Sequence, residues 1–396
     1  MKRLILLLVT GIGIFPTVFG QYVSKEKILV SESLIFPLQG QHVHGSSIVS
    51  LPNGDFLAAW FQGSGERTAD DVKIMGARYR KRDNIWSDPF LLADTPGIPD
   101  CNPVLFLNQE GKLFLVWIAV QANRWEHSIL RLRTSMSYDN AGAPIWSWQD
   151  NILLKPGNEF TEEVTEKFEG MPSTGAGWAE YALPYDQMII EASKDPKKTS
   201  IGWMTRIKPL FLNSGRILLP LYSDGFNFSL MAISDDDGET WIPSLPLVGR
   251  GPIQPALAQK ENGEIMALLR DSGDAPGRLH KSFSTDEGMS WSASQKTNIP
   301  NTASVELLVL DDGKWVFVGN DVDDGRYKLS LFISDDEGTT WRGKAYLENE
   351  KKGFGGFSYP SLVQAPDGMV HITYSYHLEE GGKSIKHMII NPNNFF

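Results

Sequence analysis

Three copies of one eight-residue pattern, one every fifty residues, constrain this chain more than any other feature. They are Ser234-Asp-Asp236-Asp-Gly238-Glu-Thr240-Trp241, Ser284-Thr-Asp286-Glu-Gly288-Met-Ser290-Trp291 and Ser334-Asp-Asp336-Glu-Gly338-Thr-Thr340-Trp341. A fixed period of this length marks architectures in which one small sheet cannot bury both faces and stacks on copies of itself. Each copy has the chemistry of a tight turn. Ser and Asp side chains bond nearby backbone, Gly takes a positive φ, and Trp fills the gap between sheets. A second repeat underlies the first. Apolar runs end in Asn53-Gly54, Glu110-Gly111, Ser214-Gly215, Asn262-Gly263, Asp312-Gly313 and Asp367-Gly368, and another apolar run follows each, a hairpin signal given six times. Trp86, Trp146, Trp241, Trp291 and Trp341 close five of these units; the last, from Ser358 onward, lacks such a Trp and is expected to close against a strand near Ile28–Ser31. The repeats predict an all-β fold, a six-bladed β-propeller, whose self-closure removes exposed sheet edges. Between Asn151 and Ser200 the period breaks in a segment that is Glu-rich, then Gly/Trp-rich around Trp178, then Lys-rich. We read about 151–200 as an insertion in or before blade 3, either shaping a pocket or forming a surface excursion.

Net charge is −11, which argues against a nucleic-acid binder. Residues 1–20 combine Lys2 and Arg3 with an apolar run from Leu4 to Phe15 and small residues near Gly20, the pattern of a cleavable secretory signal. The propeller then occupies 21–396, and the expected location is secreted or periplasmic, without a membrane span. Cys101 is the sole cysteine, so no intrachain disulfide forms and packing must supply stability. Asp236, Asp286 and Asp336 resemble calcium ligands in composition, but they lack the twelve-residue ligand spacing. No metal, no cofactor and a monomeric state are expected.

In a propeller the first strand of each blade lines the central axis. Counting back eight or nine residues from each glycine turn gives His44, Asn102, Arg206, Gln254, Ser304 and Tyr359. All are polar or aromatic, a ring suited to binding, and Pro103, Pro255 and Pro360 directly follow three of them, with Pro209 just beyond Arg206.

The pattern S-x-D-x-G-x-[TS]-W resembles the Asp-box of the sialidase (neuraminidase) superfamily, and the resemblance extends over all six units, most closely from Gly251 onward. It implies roles for particular residues. Tyr359, in Phe357-Ser358-Tyr359-Pro360-Ser361-Leu362, matches the nucleophile, and Arg270 and Arg326 match two arginines that clamp a substrate carboxylate. The loop Gly65-Glu66-Arg67-Thr68-Ala69-Asp70-Asp71 matches the segment holding the acid/base, taken as Asp71 with Asp70 as the alternative. The chain departs from the family twice. Val43-His44-Gly45 stands where a third clamp arginine belongs, and Gln254 stands where a carboxylate should deprotonate the tyrosine. Forming phenolate at pH 7 from a phenol of pKa near 10 costs about 4 kcal/mol. Without a carboxylate at 254, Tyr359 loses that base unless Glu306, Glu66 or another group replaces it, and His44 offers a general base. The implied function is exo-acting hydrolysis of a terminal acidic or deoxy sugar on a glycan, with Gln254, Arg206 and Asn102 as further substrate contacts. Two alternatives stand beside it. One is a polysaccharide lyase acting at a uronate with His44 and Tyr359 as base and acid; the other is a non-catalytic glycan-binding propeller.

Overall fold

Each of the six glycine turns joins two antiparallel strands, and its glycine holds a positive φ, from 78° at Gly111 to 92° at Gly215. The computed structural model describes residues 22–172 and 184–395; the expected signal segment and Trp178 lie outside them. Six antiparallel sheets of four or five strands follow one another along the chain, and their innermost strands begin at His42, Asp100, Met204, Pro252, Glu306 and Gly355. Together they form a six-bladed β-propeller. The strand Leu29–Leu34 pairs with Lys383–Ile390 as the outer strand of the sixth sheet, so the ring closes where the repeat lacks its Trp.

The recurrent octapeptide fastens neighbouring blades. Ser234 Oγ donates to Asp236 at 2.8 Å and accepts from Gly238 N at 2.8 Å, and Asp236 also accepts from Thr240 N at 2.8 Å. The copies at Ser284 and Ser334 repeat this network. Its glycine sits against the preceding blade. A Cβ at Gly238 would lie 2.7 Å from Phe114, one at Gly288 2.6 Å from Leu218, and one at Gly338 2.5 Å from Met266. Only a residue without a side chain fits there.

The inserted segment is helical. Phe160, Val164 and Phe168 form a buried stripe on the helix Asn158–Glu169, and Phe160 packs on Trp203, Phe226 and Phe228 of blade 3. The following helix, Tyr185–Ser193, is held by Asp186, which receives two bonds from Arg250 at 2.9 and 2.6 Å. No helix among the described residues is long and apolar enough to cross a membrane, and no group of three or more His, Cys, Asp or Glu among them is arranged to hold a metal ion.

Candidate active site

Four of the six innermost strands carry the same irregularity. One extra residue lies between His44 and Ser47, Cys101 and Val104, Ile253 and Ala256, and Ser358 and Ser361, a β-bulge in each case. The bulge residue is left-handed every time: Gly45 at φ 67°, Asn102 at 51°, Gln254 at 57° and Tyr359 at 57°. Proline follows three of them, and its missing N–H leaves no orphan donor at the break in the ladder. Such backbone costs a non-glycine residue about 1–2 kcal/mol. Here it turns Asn102, Gln254 and Tyr359 into one cavity of about 550 Å³ at the mouth of the ring. In blade 1 the bulge position belongs to Gly45, where a Cβ would meet the Phe61 ring at 2.7 Å. His44 precedes it, and its ring lines the same cavity.

Tyr359 is surrounded by cations. Arg270 donates to its phenol oxygen at 2.9 Å, and Gln254 Nε2 donates to the same atom at 3.4 Å. Both bonds are received and none is given, an arrangement that suits a phenolate. The Arg206 and Arg326 guanidinium carbons lie 4.7 and 5.2 Å from the ring centroid. Burial alone would raise this pKa, but Arg270 and Arg326 outweigh it and hold the phenol below its usual 10. The neighbouring Tyr222, which accepts from Asn102 at 3.1 Å, is pushed well above 10 by burial and by Asp224. The two neighbouring phenols are thus shifted in opposite directions, Tyr359 by the arginines around it and Tyr222 by burial.

Arg206 lies under Tyr359 and does not line the cavity. Its guanidinium bonds the carbonyls of Ser46 at 3.0 Å and Pro360 at 2.9 Å, the residues after two of the left-handed positions. It clamps blades 1 and 6 together beneath the ring, which corrects its expected place among the substrate contacts. Replacing Arg206 with Met leaves both buried carbonyls unpaired and should lower stability by about 3 kcal/mol. The denaturant midpoint measures this, and an unchanged midpoint would deny the clamp.

His44 is fully buried and neutral. Arg326 faces its Nε2 at 3.4 Å and can only donate, so Nε2 carries the lone pair and Nδ1–H donates to Ser375 Oγ at 2.7 Å. Burial first, then Arg326 and the nearby His377 and His42, push its pKa well below 6.5. His42, His44 and His377 form one wall of the cavity, with ring centroids 5.6–6.1 Å apart.

The carboxylates of the cavity are Glu66 and Asp224, not Asp71. Asp71 is exposed and accepts from Ser64 N at 3.0 Å and Ser64 Oγ at 2.8 Å, bonds that hold its pKa down. An acid kept ionised in solvent is unfit to donate a proton. Asp70 is likewise exposed and accepts from Asn123 at 3.0 Å. The same Asn123 holds the Arg67 carbonyl at 2.8 Å, and Arg67 stacks on Trp125 at 5.4 Å, so a blade 2 loop fixes the turn that carries Glu66. Burial raises the Glu66 pKa against Arg67, Arg326 and Arg270, and burial raises that of Asp224 against Arg270 and Arg67.

The family model described as BNR repeat-like domain matches residues 54–167 and 178–372. The chain belongs to this BNR repeat-like family. That places it in the sialidase-like superfamily. A curated relative, the anhydrosialidase of Macrobdella decora, is 26% identical over 183 residues, 41% of this chain and only 23% of that protein's length. Two solved structures share the fold. One is a protein of unknown function from Dyadobacter fermentans, with TM-score 0.67, 16% identity, and 92% of this chain and 98% of that one covered. The other is the NanB sialidase from Streptococcus pneumoniae, with TM-score 0.64, 12% identity, and 92% and 71% covered.

Within this BNR repeat-like protein, Tyr359, His44, Arg270, Arg326, Gln254 and Asn102 share one cavity. Ser304 is buried and does not line it. Glu306 lies at the opposite end of the channel, 3.2 Å from Lys208, and is no base for Tyr359. Trp125 lines the cavity, whereas Trp203 is core, its indole bonded to the Thr199 carbonyl at 2.7 Å. Tyr222 and Asp224 were missed by sequence reasoning. A signal existed: Tyr222 follows its turn glycine by the same seven residues as Arg270 follows its own.

Proposed function

We propose that the protein is an exo-acting glycoside hydrolase that releases a terminal acidic sugar from a glycan, with Tyr359 as nucleophile and Glu66 as acid/base. The observation that carries this reading is the phenol oxygen of Tyr359, which receives bonds from Arg270 and Gln254 beside the charge of Arg326. Those cations perform what a carboxylate at position 254 would otherwise do. They favour the phenolate and lessen the demand for a proton acceptor next to it. Arg270 and Arg326 also offer forked donors for a substrate carboxylate.

The Tyr359 oxygen bonds the anomeric carbon as the glycosidic bond breaks, and the leaving oxygen takes the Glu66 proton. Water then attacks the anomeric carbon and yields its proton to Glu66, and the phenolate leaves. A carboxyl whose pKa is raised by burial is suited to both steps. The lyase reading is less favoured because burial and Arg326 lower the proton affinity of His44, and its other ring nitrogen is committed to Ser375.

Incubation with sialylated, uronate-capped and rhamnose- or fucose-capped glycans, with product mass and ultraviolet absorbance recorded, tests the proposal. A free acidic sugar without new absorbance is expected. An unsaturated, absorbing product means elimination and overturns it. In the first turnover, Glu66→Gln should slow release of a sugar leaving group by about 100-fold or more and barely affect release of an aryl group that departs without a proton. Equal losses on both would remove Glu66 from the acid role.

A further inference from the structure

Beside the main cavity, on the far side of the same two loops, lies a second one of about 380 Å³. Trp125 and Asp224 face the first cavity; their chain neighbours Glu126 and Gly225 face the second. Its other wall comes from the insertion, including Lys197 and Lys198. We infer that this cavity is an anion-selective subsite for the sugar beyond the cleaved bond, so that the insertion sets which acidic glycans are accepted. The inference rests on the glycosidase reading above.

The charges support it. Lys197 and Lys198 are exposed, and neither side chain has an ion pair or hydrogen bond among the described residues. The one carboxylate in the lining, Glu126, is matched by Arg124 at 2.8 Å. Asp195, close by in sequence, accepts from the Lys197 backbone N–H at 3.0 Å. His127 adds two ring nitrogens, and Phe226 supplies an apolar floor that suits the face of a pyranose. In a chain of net charge −11, two unpaired lysines facing one cavity form a local exception.

The wall is also rigid. Trp203 donates to the Thr199 carbonyl at 2.7 Å, fastening the turn after the lysines to the core. Gly202 N donates to the Ser128 carbonyl at 3.1 Å, and a Cβ at Gly202 would lie 2.6 Å from the Glu126 carbonyl oxygen. The insertion therefore presses directly on the loop that divides the cavities. A glycan whose terminal acidic sugar fills the first crosses the Trp125 rim and offers its next carboxylate or sulfate to the lysines.

The test separates this subsite from the arginines of the main cavity. A variant carrying Arg270→Ala and Arg326→Ala, its melting temperature checked, is titrated with N-acetylglucosamine 6-sulfate, glucuronic acid and neutral N-acetylglucosamine. The two anionic sugars should bind about tenfold tighter than the neutral one. Adding Lys197→Ala and Lys198→Ala should erase the difference, and raised salt should do the same in the lysine-bearing protein. Sulfate preferred over carboxylate, or the reverse, identifies the group recognised. No preference for the anionic sugars in the double arginine variant, or a preference that survives loss of both lysines, overturns the inference. Neither outcome depends on whether the main cavity hydrolyses anything.

Discussion

Tyr359→Phe should lower turnover of an acid-capped glycan by at least about 1,000-fold while leaving its binding within about threefold. The phenyl ring still fits between Arg206 and the His44 ring, whose centroid lies 4.1 Å away, so the melting temperature should stay near its parent value. What disappears is the oxygen that Arg270 and Gln254 hold. Retention of a tenth of the activity would show that this oxygen forms no bond to the substrate. Binding without turnover in the unaltered protein would mark a glycan-binding propeller. The split between binding and rate therefore tests nucleophile and enzyme together.

Stability should fall steeply as pH drops below about 6.5. Five of the seven histidines have depressed pKa values, and burial is the largest cause in each. His371, stacked on Phe56 at 3.9 Å and bonded to His387 at 3.0 Å, is held at about 4, as is His42. The sign follows from proton counts. Below 6.5 the unfolded chain gains protons that the folded one refuses, so each depressed histidine destabilises the fold increasingly until pH reaches its folded pKa. For His371, a drop from 6.5 to about 4 corresponds to roughly 3 kcal/mol. Carboxylates with lowered pKa add losses only near and below pH 4, whereas Glu66, Asp100 and Asp224, raised by burial, offset part of the loss as pH falls, so the His371→Gln difference isolates the histidine contribution. Urea midpoints should be level from pH 8 to 7, fall between 6.5 and 5, and fall less in His371→Gln. Constant midpoints from pH 7 to 5 would deny the linkage.

The architecture could be read from the chain because periodic turns report local chemistry. The glycines at 54, 111, 215, 263, 313 and 368 take their φ from turn geometry alone, and every blade register follows from them. Tyr359, Gln254 and Asn102 fell into place for the same reason, each nine residues before its glycine. Blade 1 deceived that count because an imidazole invites a functional reading. The register gives Gly45, and His44 enters the cavity from the adjacent position. The acid/base expected at Asp71, with Asp70 as the alternative, had no such register, and Glu66 faces the cavity instead. All three lie in an irregular loop, where no period fixes direction; Ser64 holds Asp71 and Asn123 holds Asp70 and the Arg67 carbonyl, contacts that no sequence period announces. Arg206 defied the sequence for another reason, because its partners are backbone carbonyls that leave no compositional trace.

The pairing of Leu29–Leu34 with Lys383–Ile390 also bears on biogenesis. During synthesis Leu29–Leu34 must wait, unpaired, until Lys383–Ile390 has left the ribosome. His44 and Tyr359 come from the two blades joined by that late seam, so a nascent chain that has not yet exposed Lys383–Ile390 holds no finished pocket.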